Sequence, residues 1–190
     1  SFTATPTLCE GDQNTVNFTG SAAGTAVWNW NFGSANVVAG SGSGPYTLDY
    51  PAPGNYNINL IISDNGCADT AAFAVTVNPI PSSTCILPPP VCDGVPVTIN
   101  YTGTGPGTAN YTRTFGGGTV LSGTGAGPYS VSWSAAGNPN VTLTVSENGC
   151  TSPVTNNAIT INAHPVASFT GIPALCTGEQ NTITFNGTAS

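Results

Sequence analysis

Six cysteines, at positions 9, 67, 85, 92, 150 and 176, are the side chains of this sequence best equipped for chemistry. Thiols in this number either bridge as disulfides or hold a metal. A structural zinc site draws on Cys-x-x-Cys pairs, because two thiolates must reach one tetrahedral ion from a single turn. No such pair occurs here. Oxidative pairing is the chemistry left, and it persists outside the reducing cytosol.

The other reactive side chains are sparse. His164 is the only histidine and sits between Ala163 and Pro165. With no second histidine and no nucleophile–base constellation, it reads as a linker residue. The acids are Glu10, Asp12, Asp49, Asp64, Asp69, Asp93, Glu147 and Glu179. Paired carboxylates hydrolyse glycosides, but most of these lie in Gly- and Asn-rich turns and read as solvated turn residues. Glu10 and Asp12 are the one place where Ca²⁺ is weighed; no other cofactor is expected. Trp28, Trp30 and Tyr46 have the chemistry of a sugar-stacking platform, yet the parity of both tryptophans with Phe32 assigns them to a core. Asn17, Asn100, Asn110, Asn140 and Asn186 begin N-x-[ST] sequons, as many asparagines in a Thr-rich chain must.

Composition excludes further classes. Arg113 is the single basic residue, and the net charge is -7. Such a surface cannot neutralise phosphates, which excludes nucleic acid and attraction to anionic lipid. No apolar run is long enough to span a bilayer as a helix, so no membrane insertion is expected. Ser1 does not open a signal-peptide pattern. Low charge alone would suggest disorder, but 3 Trp, 6 Tyr and 7 Phe stand in alternating runs.

The elements that must position these residues repeat. Cys9-Glu10-Gly11 returns as Cys92-Asp93-Gly94 and as Cys176-Thr177-Gly178, at offsets of 83 and 84 residues. Phe18-Thr19-Gly20 returns as Tyr101-Thr102-Gly103 and Phe185-Asn186-Gly187. Gly42-Ser43-Gly44-Pro45-Tyr46 returns at Gly125–Tyr129, and Asn65-Gly66-Cys67 returns as Asn148-Gly149-Cys150. A repeated series of this length marks tandem units. Residues 1–81 and 82–165 form two repeats, and 166–190 begin a third. Further repeats are expected; the alternative is completion of the third by a strand from another chain. Within a repeat, period-two alternation predicts strands: Val16 and Phe18; Trp28, Trp30 and Phe32; Tyr46, Leu48 and Tyr50; Tyr56, Ile58, Leu60 and Ile62; Phe73, Val75 and Val77. Val141, Leu143 and Val145 replace Ile58, Leu60 and Ile62 in the second repeat. About seven short strands per repeat predict an all-β, immunoglobulin-like sandwich. At Asp12's position the second repeat has Val95, which weakens the calcium reading.

Trp30-Asn31-Phe32-Gly33, followed by Tyr50-Pro51-Ala52-Pro53-Gly54-Asn55-Tyr56, resembles the W-x-F-G and Y-x-x-P-G-x-Y segments of PKD domains. The second repeat keeps Phe115-Gly116 but has Arg113 for the tryptophan, and Trp133-Ser134-Ala135-Ala136-Gly137 for the Y-x-x-P-G run. Repeats of this kind with paired Cys-x-Gly and Asn-Gly-Cys motifs resemble those of very large bacterial cell-surface proteins, including gliding-motility adhesins exported by type IX secretion. The resemblance implies extracellular spacers or adhesins and no catalysis. Asp69-Thr70-Ala71 is similar to the D-[ST]-aliphatic O-glycosylation motif of such bacteria, which marks Thr70 as a candidate glycan site.

In an immunoglobulin-like strand order, the loop holding Cys9 and the loop holding Cys67 fall at opposite ends of one sandwich. A strand of about eight residues separates them by roughly 26 Å, whereas a disulfide needs Cα atoms within about 7 Å. In a head-to-tail array those ends become neighbours. The favoured pair is therefore Cys9–Cys150, between repeats; Cys92 then pairs forward and Cys67 backward, and Cys176 belongs to the third repeat. Pairing within repeats, Cys9–Cys67 and Cys92–Cys150, stands as the alternative. Cys85 takes the position of Phe2 and Phe169 and is read as a buried thiol or as a second partner at the same junction. The function expected is a non-catalytic extracellular fibre or filament, with adjacent repeats and other copies as partners. The alternatives are a module binding surface glycans and a spacer in a secreted hydrolase.

Overall fold

Where apolar residues alternate with Asn, Thr and Ser, a strand can bury one face and solvate the other. The computed structural model describes residues 1–171 and 173–188, and among them there is no helix. Two compact units emerge: residues 1–81 with 146–152, and residues 82–145 with 153–190.

In the first unit β1 (Phe2–Thr3), β2 (Thr7–Cys9), β3 (Asn14–Phe18), β4 (Val27–Asn31), β5 (Asn36–Ala39), β6 (Tyr46–Asp49), β7 (Gly54–Asp64) and β8 (Cys67–Asn78) follow in order. They form two four-stranded sheets, β1-β3-β6-β5 and β2-β8-β7-β4. This is the ABED-over-CFG order of an immunoglobulin sandwich. The first strand is split: β1 pairs antiparallel with β3, and β2 crosses to pair parallel with β8. The split yields eight strands rather than seven. The core lies between the sheets, with Val16, Leu48, Ile58 and Val75 wholly buried. The β7–β8 hairpin pairs without interruption from Gly54↔Val77 to Asp64↔Cys67. It turns on Asn65 and Gly66, at φ 48° and 82°, the backbone an Asn-Gly type I′ turn requires. Tyr56 on β7 donates its hydroxyl to the Ala52 carbonyl at 2.6 Å, a tyrosine-corner tie that fixes the entry to that strand.

The second repeat follows the same plan through β9 (Cys85–Ile86), β10 (Val91–Cys92), β11 (Val97–Tyr101), β12 (Asn110–Thr114), β13 (Thr119–Ser122), β14 (Tyr129–Ser132) and β15 (Asn140–Glu147). Its closing strand is broken into β16 (Cys150–Thr151), β17 (Thr155–Ala158) and β18 (Ile161–Asn162). Two prolines account for the breaks. Pro153 and Pro139 lack the N–H that Thr70 and Tyr56 carry at the equivalent places in β8 and β7, and a strand interior does not tolerate that loss. Register locates the extra residue behind the change of offset from 83 to 84. Ser146 pairs with Thr151, but Leu143 pairs with Thr155, one residue out of step. The insertion is the bulge at 152–154.

The third repeat begins as the others do. Phe169 on β19 (Phe169–Thr170) opposes Phe185 on β20 (Thr184–Phe185), as Phe2 opposes Phe18.

Candidate functional site

The site is built on two cysteines. Cys9 ends β2, where it is register partner to Asn78. The turn after it is locked: the Cys9 N–H donates to Asp12 Oδ2 at 3.1 Å, the Asp12 N–H returns to the Cys9 carbonyl at 3.0 Å, and Glu10 N–H reaches the Asn78 carbonyl at 2.8 Å. Cys150 opens β16, directly after the Asn148-Gly149 turn. The two sulfurs are bonded, with Cα atoms 5.5 Å apart across 141 residues of sequence. Beside the bond, Asn78 Nδ2 donates to the Asn148 carbonyl at 3.2 Å. Cys150 is 1% exposed, whereas Cys67, at the same place in its own hairpin, is exposed.

The pairs within repeats are overturned. Cys9 lies opposite Asn78 and Cys67 lies at the far end of the same strand, which has 12 residues. At about 3.3 Å per residue that separation exceeds roughly 35 Å, beyond any disulfide. The strand is longer than its alternation suggests, because small and polar residues from Cys67 to Ala72 continue the ladder beyond the apolar stretch. Cys92 likewise partners Asn162, at the other end of its repeat's closing segment from Cys150.

The remaining thiols fall in distinct settings. Cys67, Cys85, Cys92 and Cys176 are unbridged. Cys85 is half-buried against the second unit's core, where Asn157 Nδ2 approaches its sulfur at 3.7 Å. Cys176 is exposed, and its N–H donates to Glu179 Oε2 at 2.9 Å.

The acids divide by role. Asp12 and Glu179 cap the turns that follow their cysteines, so one Asp12 oxygen of the calcium candidate is already engaged. Among the described residues no three His, Cys, Asp or Glu side chains gather as a metal site would require. Asp93 accepts from the His164 backbone N–H at 3.1 Å and pairs with His164 Nδ1. The hydrogen bond from His164 holds the Asp93 carboxyl below the usual carboxylate range.

The aromatic candidates face inward. Trp28 packs edge-on against Phe18, with centroids 4.4 Å apart, and Trp30 stacks on Phe32 at 5.5 Å and meets Phe2 at 5.2 Å. Arg113 takes Trp30's place in a way the sequence did not disclose. Trp30 Nε1 donates to the Gly42 carbonyl at 3.0 Å. Arg113 Nη1 donates to the carbonyl of Gly125, the equivalent residue, and Nη2 to Ala126 at 3.2 Å. Its guanidinium lies 4.7 Å from the ring centroids of both Tyr111 and Tyr129, a double cation–π arrangement. The Phe2–Trp30 pair has thus become Cys85–Arg113: a smaller group beside a longer one. Thr70 is exposed on β8, and its N–H is tied to Asp69 Oδ1 at 2.9 Å.

The glycine of the Phe/Tyr-x-Gly motif also escaped sequence reasoning. A Cβ on Gly103 would stand 2.1 Å from the Ser82 carbonyl oxygen, and one on Gly187 would stand 1.8 Å from that of Val166. The chain entering each repeat crosses these glycines too closely for any side chain. The recurring glycine was the available signal, though its cause is a contact made across the strand.

No family model matches the chain, and no curated protein matches it in sequence. Among solved structures, the titin I-band fragment I67–I69 is similar at 10% identity and a TM-score of 0.50, covering 90% of this chain and 68% of that one. An E-to-A variant of the same three-Ig fragment gives 11% and 0.50, covering 91% and 69%. The insect immune protein hemolin aligns at 14% identity and a TM-score of 0.48, over 86% and 46%. At these identities the titin likeness is one of fold, and it agrees with the strand order: the chain is all-β and immunoglobulin-like.

Proposed function

We propose that this chain is part of a non-catalytic, extracellular structural or adhesive fibre of PKD-like repeats at a bacterial surface. The observation that carries the reading is the Cys9–Cys150 bond, which ties the first repeat's β2 turn to the second repeat's hairpin tip. A bond of this kind bears tension across a repeat boundary and calls for an oxidising compartment. The near absence of charge accords with a surface kept soluble by Thr, Asn and Ser, to which a glycan on Thr70 would add. The inward-facing tryptophans, and the change of Trp30 to Arg113, weigh against a repeated sugar-stacking platform.

Stretching the chain between handles at its two ends tests the mechanical role. With the bond intact, 141 residues of sequence separation are withheld from extension, so full unfolding gains about 480 Å less contour length than in reductant. Equal lengths with and without reductant would overturn the reading.

A further inference from the structure

Each of the first two repeats ends one sheet on a short strand with an open side. β5 closes the order β1-β3-β6-β5, and its counterpart β13 closes the order β9-β11-β14-β13. β5 pairs with β6 and β13 with β14; among the described residues no strand takes the other side of either. Every residue of both strands is exposed. Such an edge offers unpaired N–H and C=O groups to any strand that can align with it. The second repeat has chain before and after it in the sequence, and its edge is open just as the first one's is.

Exposed apolar side chains mark the same edges. Among the described residues, Val37 and Val38 are the only large apolar residues exposed in the first repeat whose counterparts, Val120 and Leu121, are also large, apolar and exposed. Val38 is 54% exposed and Leu121 53%. Val27 and Ile61, exposed on the other sheet, become Asn110 and Thr144. Soluble sheets defend an open edge with lysine, proline, charge or a bulge. The chain has no lysine, and neither edge strand holds a proline or a charged residue. A bulge is present in both. β5 advances from Val37 to Ala39 while β6 moves one residue, and β13 advances likewise from Val120 to Ser122. The extra residue is Val38 in one repeat and Leu121 in the other, so the bulge adds an apolar side chain to the edge.

We infer that β5 and β13 are the surfaces by which copies of this chain associate side by side, edge strand against edge strand. Two features make the occupant a second copy. An antiparallel pair of identical edges is two-fold symmetric, so one strand supplies both halves of the contact, backbone donors opposite acceptors and apolar side chains against their like. Charge agrees with this. The net charge of -7 sets copies against one another in general, yet neither edge strand carries an acid. Asp49 stands opposite Asn36 in the ladder, and its counterpart opposite Thr119 is the neutral Ser132. A partner of opposite charge would find nothing on β13 to pair with. The contact rests on the fibre reading and names the surface through which fibres meet laterally.

Sedimentation velocity of the full chain tests the contact, with free thiols alkylated so that no intermolecular disulfide contributes. The parent is expected to associate reversibly as its concentration rises to the millimolar range. Val38→Lys with Leu121→Lys charges both edges at exposed positions and is expected to weaken association at least about tenfold. Asn57→Lys with Thr112→Lys adds the same charge at exposed positions of the other sheet and is expected to leave association unaltered. Thermal melts that match the parent's establish that each variant is folded. Independently of any variant, amides within Asn36–Ala39 and Thr119–Ser122 are expected to exchange more slowly in the associated form. A parent that stays monomeric, association that Val38→Lys with Leu121→Lys leaves intact, or edge amides that gain no protection would each overturn the lateral contact. The stapled fibre would survive all three, because Cys9–Cys150 lies within one chain; it fails on the stretching measurement instead.

Discussion

At the residue scale, packing replaced one side chain by another only together with its neighbours. Phe2 and Trp30 touch across the first sandwich, and their counterparts are Cys85 and Arg113. Arg113→Trp alone inserts a ring where Arg113's guanidinium met two carbonyls, and Cys85→Phe alone crowds the same space. Each single change is expected to destabilise, and the double change to recover part of the loss. A double-mutant cycle from denaturant melts should give a coupling of about 1 kcal/mol; additive effects would show that the exchange is not coupled. Gly103 offers a second case. Gly103→Ala sets a methyl against the Ser82 carbonyl and is expected to cost roughly 2–3 kcal/mol, within the range of severe backbone clashes. Asp93 supplies a pH dependence. Its carboxyl titrates lower in the folded chain because His164 bonds to it. Its contribution to stability is therefore full above the ordinary carboxylate range, near pH 4, and is lost as pH falls through the lower folded value. Thermal melts from pH 5 down to pH 2 should fall less steeply for Asp93→Asn than for the parent.

At the element scale, the two repeats differ most in their closing strand. The β7–β8 ladder is continuous over its whole length, whereas the second repeat carries a proline-linked bulge at 152–154. Amides at 151–155 are expected to exchange with solvent faster than those at 68–72, because a broken ladder opens locally at lower cost. Native-state hydrogen exchange resolved by residue checks this; equal protection would mean that the bulge leaves the strand as cooperative as its unbroken counterpart. The same bulge leaves the register of the hairpin tip unaltered, with Glu147 opposite Cys150 as Asp64 is opposite Cys67. The cysteine's placement thus survives the insertion.

At the scale of the whole molecule, the disulfide closes a loop of 141 residues. Chain entropy assigns such a closure roughly 5 kcal/mol. Reduction, or Cys9→Ser, should therefore lower the free energy of unfolding by several kcal/mol. Guanidinium melts with and without reductant measure the difference. Loss of stability confined to residues 1–81 and 146–152, read by hydrogen exchange, would show that the bond serves that compact unit. Loss across the chain would show that both units unfold together.

The all-β class and the repeat period were legible in the sequence, because alternation and motif recurrence are local patterns. The core residues were legible for the same reason: Val16, Leu48, Ile58, Val75, Val141 and Val145 each stand on the apolar parity of their strand. Sequence favoured Cys9–Cys150 but left pairing within repeats standing as the alternative, since recurring motifs mark equivalent cysteines without fixing which of them meet. Strand length decided between them, and β8 extends through residues whose small polar side chains give no strong strand signal. The crossing of β2 to the second sheet, the carbonyls that Arg113 caps and the chain that lies over Gly103 are contacts between segments distant in sequence. No window of the sequence encodes them; they exist only once the sheets are packed and the backbone has closed on itself.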